Sequence, residues 1–305
     1  MTSNKFTSRR GIAKKPPICI SKPPKPPYPP YPGGRRSTRR PMDPAADWAR
    51  RSRLPPVPSP PYRTITVWNL AYHIFPHPGN EAWLRNLDQL RQRWQQFNGR
   101  RLVAIATGPD LVPPADVVSF LGRDAEYFPI PNDPRLRETA TFLNLLRTIR
   151  TTATNEATFY AHTKGASQHH YAQPGKELAI RYWRNRMYKQ LLDNPITVAN
   201  TLRSHATCGT FKIDYSEFPD QVMESPTGLD WGTWHYAGNF FWFRHDCIFR
   251  NPHWSEIADD PYACEMWLGN LIDTRQGGSI YQPWPAIDHP PPDLYDPSSH
   301  LDPIP

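Results

Sequence analysis

Apolar residues along this chain fall into two alternating patterns. Thr64-Ile-Thr-Val-Trp-Asn-Leu70 is a β-rich run, and Leu102-Val-Ala-Ile-Ala106 is a continuous apolar run of buried-strand length closed by Gly108-Pro109. Between them Asn80 caps a predicted helix whose apolar positions Trp83, Leu87, Leu90, Trp94 and Phe97 step by 4, 3, 4 and 3, with Gly99 at its C-terminal cap. Glu126-Tyr-Phe-Pro-Ile130 reads as a shorter strand, and Asp133-Pro134 opens a segment that places Phe142, Leu145, Leu146 and Ile149 on one helical face. Ala157-Thr-Phe-Tyr-Ala161 is the next strand and delivers His162.

This β-α-β-β-α-β order, with continuously apolar strands, predicts an α/β fold with a mostly parallel sheet and helices on both faces. Further on, Ile180, Trp183, Met187 and Leu191 form a helical stripe, and Asp193-Asn194-Pro195 starts a second helix. Cys208-Gly-Thr-Phe-Lys-Ile213 and Asn239-Phe-Phe-Trp-Phe243 look like strands. Asp260-Pro261 caps a last helix carrying Glu265, Trp267, Leu268, Leu271 and Ile272.

Composition divides the chain. Residues 1–61 hold 16 of the 38 prolines and 14 of the 36 Lys and Arg against only Asp43 and Asp47, a net +12. The remainder carries −4 of the overall +8, so a nucleic-acid-binding core is not expected. The expected organisation is a basic Pro-rich disordered tail over 1–61, one domain over 62–284 and a second Pro-rich tail over 285–305. Lys22-Pro-Pro-Lys-Pro-Pro-Tyr-Pro-Pro-Tyr-Pro32 suits polyproline II. It reads as a solvated extension or as a ligand for an SH3- or WW-like module or an acidic surface. Cys19, Cys208, Cys247 and Cys264 lack metal-site spacing and read as reduced thiols. No apolar run is long enough for a membrane helix and no secretory leader is recognisable, so a cytoplasmic location is expected.

Two segments carry polar groups that strand packing does not call for. In His162-Thr163-Lys164-Gly165, Lys164 can neutralise a phosphate, and His162 can ligate a metal or donate to an anionic oxygen. Thr163 supplies a hydroxyl, and Gly165 lets backbone N–H groups approach a ligand. The plainer alternative is a polar strand end with a surface lysine. In the second segment His235 enters, and Gly238-Asn239 interrupts, an aromatic run ending at Arg244. A buried Asn239 amide needs either backbone partners or a ligand. Glu265 projects from the last helix as a candidate general base, whereas Asp260 is explained by the helix dipole. Arg181, Arg184 and Arg186 can reach phosphate or form the wet face of a helix, and His169-His170 reads as a solvated loop. Walker-type, GxSxG, HExxH and dinucleotide-binding patterns are absent.

The order HTKG, Trp183-Arg184, Cys-Gly-Thr, His-x-x-Gly-Asn-Phe-x-Trp and Glu-x-Trp-x-Gly, from Tyr160 to Gly269, resembles glycosyltransferase-like proteins of the rhamnan-synthesis-F type. The resemblance implies a GT-A fold, a nucleotide-sugar donor, a glycan acceptor and a place in polysaccharide biosynthesis. It implies a nucleotide over the first strands near Asn69 and Tyr72, with Lys164 on the diphosphate. His235 and Asn239 would line the donor-sugar or acceptor pocket, and Glu265 would serve as the base for an acceptor hydroxyl. GT-A enzymes commonly carry Asp-x-Asp after the fourth strand, and this chain has none. The expectation is therefore a transfer that requires no cofactor, with Lys164 and His162 supplying positive charge. The alternative is Mn or Mg held by fewer carboxylates. A further alternative is a catalytically silent protein that acts through its basic arm.

Overall fold

The computed structural model describes residues 58–166, 174–214 and 234–282, with the side chains of 174–179 excepted. The predicted tails and His169-His170 lie outside that set, apart from the residues bordering it. In chain order the elements are β1 (Val67–Ile74), α1 (Ala82–Arg91), β2 (Arg101–Thr107), α2 (Pro114–Leu121), β3 (Glu126–Pro131), α3 (Thr139–Ile149) and β4 (Glu156–His162). There follow α4 (Pro174–Leu192), α5 (Pro195–Ser204), β5 (Thr207–Gly209), β6 (Lys212–Asp214), β7 (Trp234–Tyr236) and β8 (Phe241–Arg244). The short α6 (His245–Ile248), α7 (Ala263–Leu271) and β9 (Gly277–Ser279) complete the set.

Seven strands form one sheet in the order β3-β2-β1-β4-β8-β5-β9, and β6 pairs with β7 separately. The first four are mutually parallel, β8 runs antiparallel to both β4 and β5, and β9 is parallel to β5. The expected mostly parallel α/β sheet is what forms. Because β2 and β3 lie on one side of β1 and β4 on the other, the chain reverses its direction of strand addition between β1 and β4. Open α/β sheets bind ligands in the crevice at the carboxyl ends of such a pair of strands.

The strand period of two sends alternate residues to two separate cores. Leu70, Tyr72, Ile74, Phe159 and Trp242 pack with α1, α2, α4 and α5 on one face. Ala71, Tyr160, Phe241 and Phe243 pack with α3 and α7 on the other. Trp242 anchors the first core: its ring centroid lies 5.0 Å from Trp68, 5.9 Å from Phe97 and 5.2 Å from Phe159. Each such aromatic pair contributes about 0.5–1.5 kcal/mol beyond area burial.

Several boundaries differ from the sequence expectation. β1 starts at Val67 and runs through His73 to Ile74, because the edge of β4 offers register partners as far as His162. The helix from Asn80 stops at Arg91 and tightens into a 3-10 turn over Trp94–Gln96. Gly99 does not cap it: a Cβ there would lie 2.2 Å from Asn69 Oδ1, so this glycine permits the chain to cross β1 closely. Cys208–Ile213 is split into β5 and β6 at Phe211, whose φ is 53°. The aromatic strand begins at Phe241 because Gly238 and Asn239 form a turn. Cys208, Cys247 and Cys264 are free and buried. Among the described residues no helix is long and apolar enough to cross a membrane.

Candidate functional site

His73 and His162 end β1 and β4 side by side as register partners, at the point where strand addition reverses. Both are buried. His162 Nε2 donates to Gly238 O at 3.2 Å, and its Nδ1 faces Glu138 Oε1 at 3.5 Å. His73 Nδ1 donates to Thr141 Oγ1 at 2.8 Å, since the Thr141 hydroxyl itself donates to Glu138 O at 3.1 Å. Glu138, just ahead of α3, thus lies against both imidazoles.

The loop after β4 is held by backbone and amide contacts. Asn80 donates to Gly165 O and Ala166 O at 2.9 and 3.0 Å, and Asn86 donates to Lys164 O at 3.0 Å. Gly165 has φ 85°, and a Cβ there would meet Ile180 Cγ2 at 2.9 Å, so the turn requires glycine. Fixed in this way, Lys164 lays its ammonium 4.5 Å from the centroid of the Trp183 ring. Its charge reaches His162, His235, Glu138 and Glu265.

Glu265, in the first turn of α7, is raised above the usual carboxylate range. Burial is the main cause, Lys164 pulls the other way, and Glu138 adds to the rise against a smaller effect of Arg137. Burial would raise Glu138 as well, but His162, His73 and Lys164 together hold it below its ordinary value. Two carboxyls pushed in opposite directions around one ammonium can divide acid and base roles between them. α7 is seated on β7 because Gly269 lets the helix touch the strand; a Cβ there would stand 1.9 Å from Trp234 O. Asn239, at φ 61°, donates from Nδ2 to Cys264 Sγ at 3.2 Å, while its Oδ1 is buried with no donor.

The structure thus brings together His162, Lys164, Gly165, His235, Gly238, Asn239 and Glu265. Thr163 is nearby but committed: its Oγ1 accepts from Phe75 N at 2.8 Å. Asn69 does not belong to this group. It lies near the opposite end of β1, where Oδ1 accepts from Arg100 N at 2.7 Å and Nδ2 points to Glu156. Tyr72 is fully buried beneath the site, its hydroxyl 2.6 Å from that of Tyr188, so it supports the loop and presents no face to a base. Arg184 is buried on α4 and is not part of a wet helix face. Sequence reasoning missed Glu138, His73 and Arg137. His73 was legible as a polar strand end, but an acid before a helix looks like any dipole partner.

Burial lowers His73 to about 4 and His235 and His245 to about 3. Their folded values lie below the unfolded one, so protons bind the unfolded chain first. Stability is therefore lost as pH falls below about 6.5. Each should cost up to about 2 kcal/mol at pH 5. Urea midpoints at pH 7 and pH 5 check this, and equal midpoints would show these imidazoles already charged in the fold.

Among the described residues no three His, Cys, Asp or Glu side chains converge as a metal-binding group. No protein-family model matches the chain, and no curated protein matches its sequence. Among solved structures it is similar to a protein assigned provisionally as a nucleotide-diphospho-sugar transferase from Desulfovibrio desulfuricans G20, at TM-score 0.33 and 10% identity over 70% of this chain and 79% of that one. It is also similar to 4-diphosphocytidyl-2C-methyl-D-erythritol synthase, at TM-score 0.35 and 12% identity over 72% and 95% of the two chains. A third is core-mannan synthase A from Aspergillus fumigatus in a Mn/GDP form, at TM-score 0.32 and 13% identity over 70% and 73%. Likeness at this level carries no information about the reaction.

Proposed function

We propose that this chain is a glycosyltransferase that moves a sugar from a nucleotide-sugar donor to a hydroxyl acceptor. The observation that supports it is the grouping of Lys164, His162 and two carboxyls, Glu138 and Glu265, at the reversal of strand addition between β1 and β4. In this reading Glu265 takes the proton from the acceptor hydroxyl as its oxygen bonds to the anomeric carbon. The bond from that carbon to the donor phosphate breaks, and the diphosphate leaves with its new charge facing Lys164. In this reading the compensating charge comes from Lys164, whose ammonium acts on Glu138, Glu265 and His162 alike. An ammonium about 4 Å from a phosphate oxygen contributes about 4 kcal/mol at an effective dielectric near 20.

Calorimetry with UDP, GDP, dTDP and CMP derivatives, with and without manganese, tests the proposal. One of them should bind, and Lys164→Ala should weaken that binding by at least 100-fold while leaving the fold intact. His162→Ala should weaken it less. Failure of every nucleotide to bind would overturn the reading. Activity that vanishes with EDTA and returns with manganese would overturn the lysine's role.

A further inference from the structure

Arg184 is the second buried arginine of the fold and differs from the first in every respect. Arg244 uses all five of its N–H groups: on Asp246 and on the carbonyls of Arg63, Leu202 and Thr154. Arg184 is 3% exposed, and its Nε is buried with no acceptor. No carboxylate is placed near it among the described residues. The groups whose charge it feels are the phenols of Tyr188 and Tyr72 and, with the wrong sign, Arg85 on α1, itself paired with Glu81 Oε2 at 3.0 Å, and Arg181 on α4. Burying an uncompensated cation is costly, and the Arg181 charge nearby increases the cost.

Its neighbourhood connects to the candidate site. Tyr188, one turn along α4 from Arg184, donates to Asn86 Oδ1 at 3.3 Å, and Asn86 Nδ2 in turn holds Lys164 O. The arginines therefore occupy the α1–α4 seam directly behind the Lys164 loop. A planar, buried guanidinium whose Nε has no acceptor and which no carboxylate meets among the described residues matches a tetrahedral oxyanion brought in from outside.

We propose that Arg184, with Arg181 beside it, forms a phosphate-binding subsite in the α1–α4 seam. The phosphate can belong to a nucleoside diphosphate or to a phosphorylated acceptor, and either presents the same group. The subsite does not depend on the transfer reading, because inorganic phosphate suffices to probe it.

The experiment is thermal unfolding and calorimetry of the full chain in phosphate against chloride at fixed ionic strength. Phosphate should raise the unfolding temperature, and Arg184→Met should weaken phosphate binding by at least tenfold. In phosphate-free buffer Arg184→Met should unfold no earlier than the native chain, because it removes an uncompensated buried charge. If that variant fails to fold, the exposed Arg181→Ala decides, with an expected loss of a few-fold. An unresponsive native chain, or variants that bind phosphate as the native chain does, would overturn the proposal. Parallel titrations with a nucleoside diphosphate and a hexose 1-phosphate identify the source by which one loses affinity in Arg184→Met. A chain that binds phosphate through Arg184 but no nucleotide-sugar keeps this subsite and loses the transferase reading.

Discussion

Glu265→Gln is expected to lower kcat by about 10²–10⁴, the usual contribution of a general base. The amide preserves shape but cannot take the acceptor proton. The native pH profile should rise through the folded pKa of Glu265, which burial holds above the ordinary carboxylate range. In the variant that limb should flatten. Stability separates this from simple damage. A carboxyl whose folded pKa is raised contributes stability fully below its unfolded pKa, and that contribution is lost as pH rises through the folded value. Glu265→Gln removes that loss, so at pH 7.5 the variant should be at least as stable as the native chain. An unchanged kcat with an unchanged pH profile would remove Glu265 from the chemistry.

Arg244→Met should destabilise the fold by about 3–5 kcal/mol, because it strands a buried Asp246 carboxylate and three carbonyls. Arg244 sits at the end of the sheet away from the site, pairing with Ala157 at the start of β4. It joins the chain before β1, the loop before β4 and the end of α5. Arg244→Lys should recover little, since three donors on a flexible stem cannot replace a planar five-donor fork. Urea unfolding measures both. Arg244→Met combined with Asp246→Asn should lie nearer the native chain than the single variant, as the stranded charge is gone. A loss under 1 kcal/mol in Arg244→Met would show that water replaces these contacts.

The fold was legible where the apolar pattern had a single period. The runs at Leu102–Ala106 and Ala157–Ala161 became β2 and β4, and the stripe Phe142, Leu145, Leu146 and Ile149 became the buried face of α3. It was less legible where backbone conformation overrode composition. Phe211 and Asn239 adopt positive φ, which non-glycine residues rarely do, so the strands around them broke at places the pattern did not mark. For the site, strand-end position pointed to His162 and Lys164, and a carboxyl projecting from an otherwise apolar helix pointed to Glu265; the three do come together. The nucleotide placement that the resemblance implied does not extend to Asn69, whose amide is spent on Arg100 N and Glu156 near the opposite end of β1. Glu138 could not be seen, since its meaning depends on the pairing of β1 with β4 across many residues. Arg184 was hidden by its neighbours: three arginines within six residues suggest a solvated helix, and only the packing of α4 in the fold buries the middle one.

The two outer strands of the sheet have a consequence for how the protein behaves at high concentration. On β3, Pro129 and Pro131 have no N–H to offer an incoming strand. On β9 the Gly277 carbonyl accepts from Lys212 Nζ at 2.8 Å, so one of the chain's own side chains occupies an acceptor that a neighbour would use. Both margins are thereby made poorer templates for edge-to-edge growth, the common route from a folded sheet to aggregate. Self-association through these margins is thereby disfavoured, and a truncation that uncovers β9 or a Pro129→Val, Pro131→Val pair would reopen it.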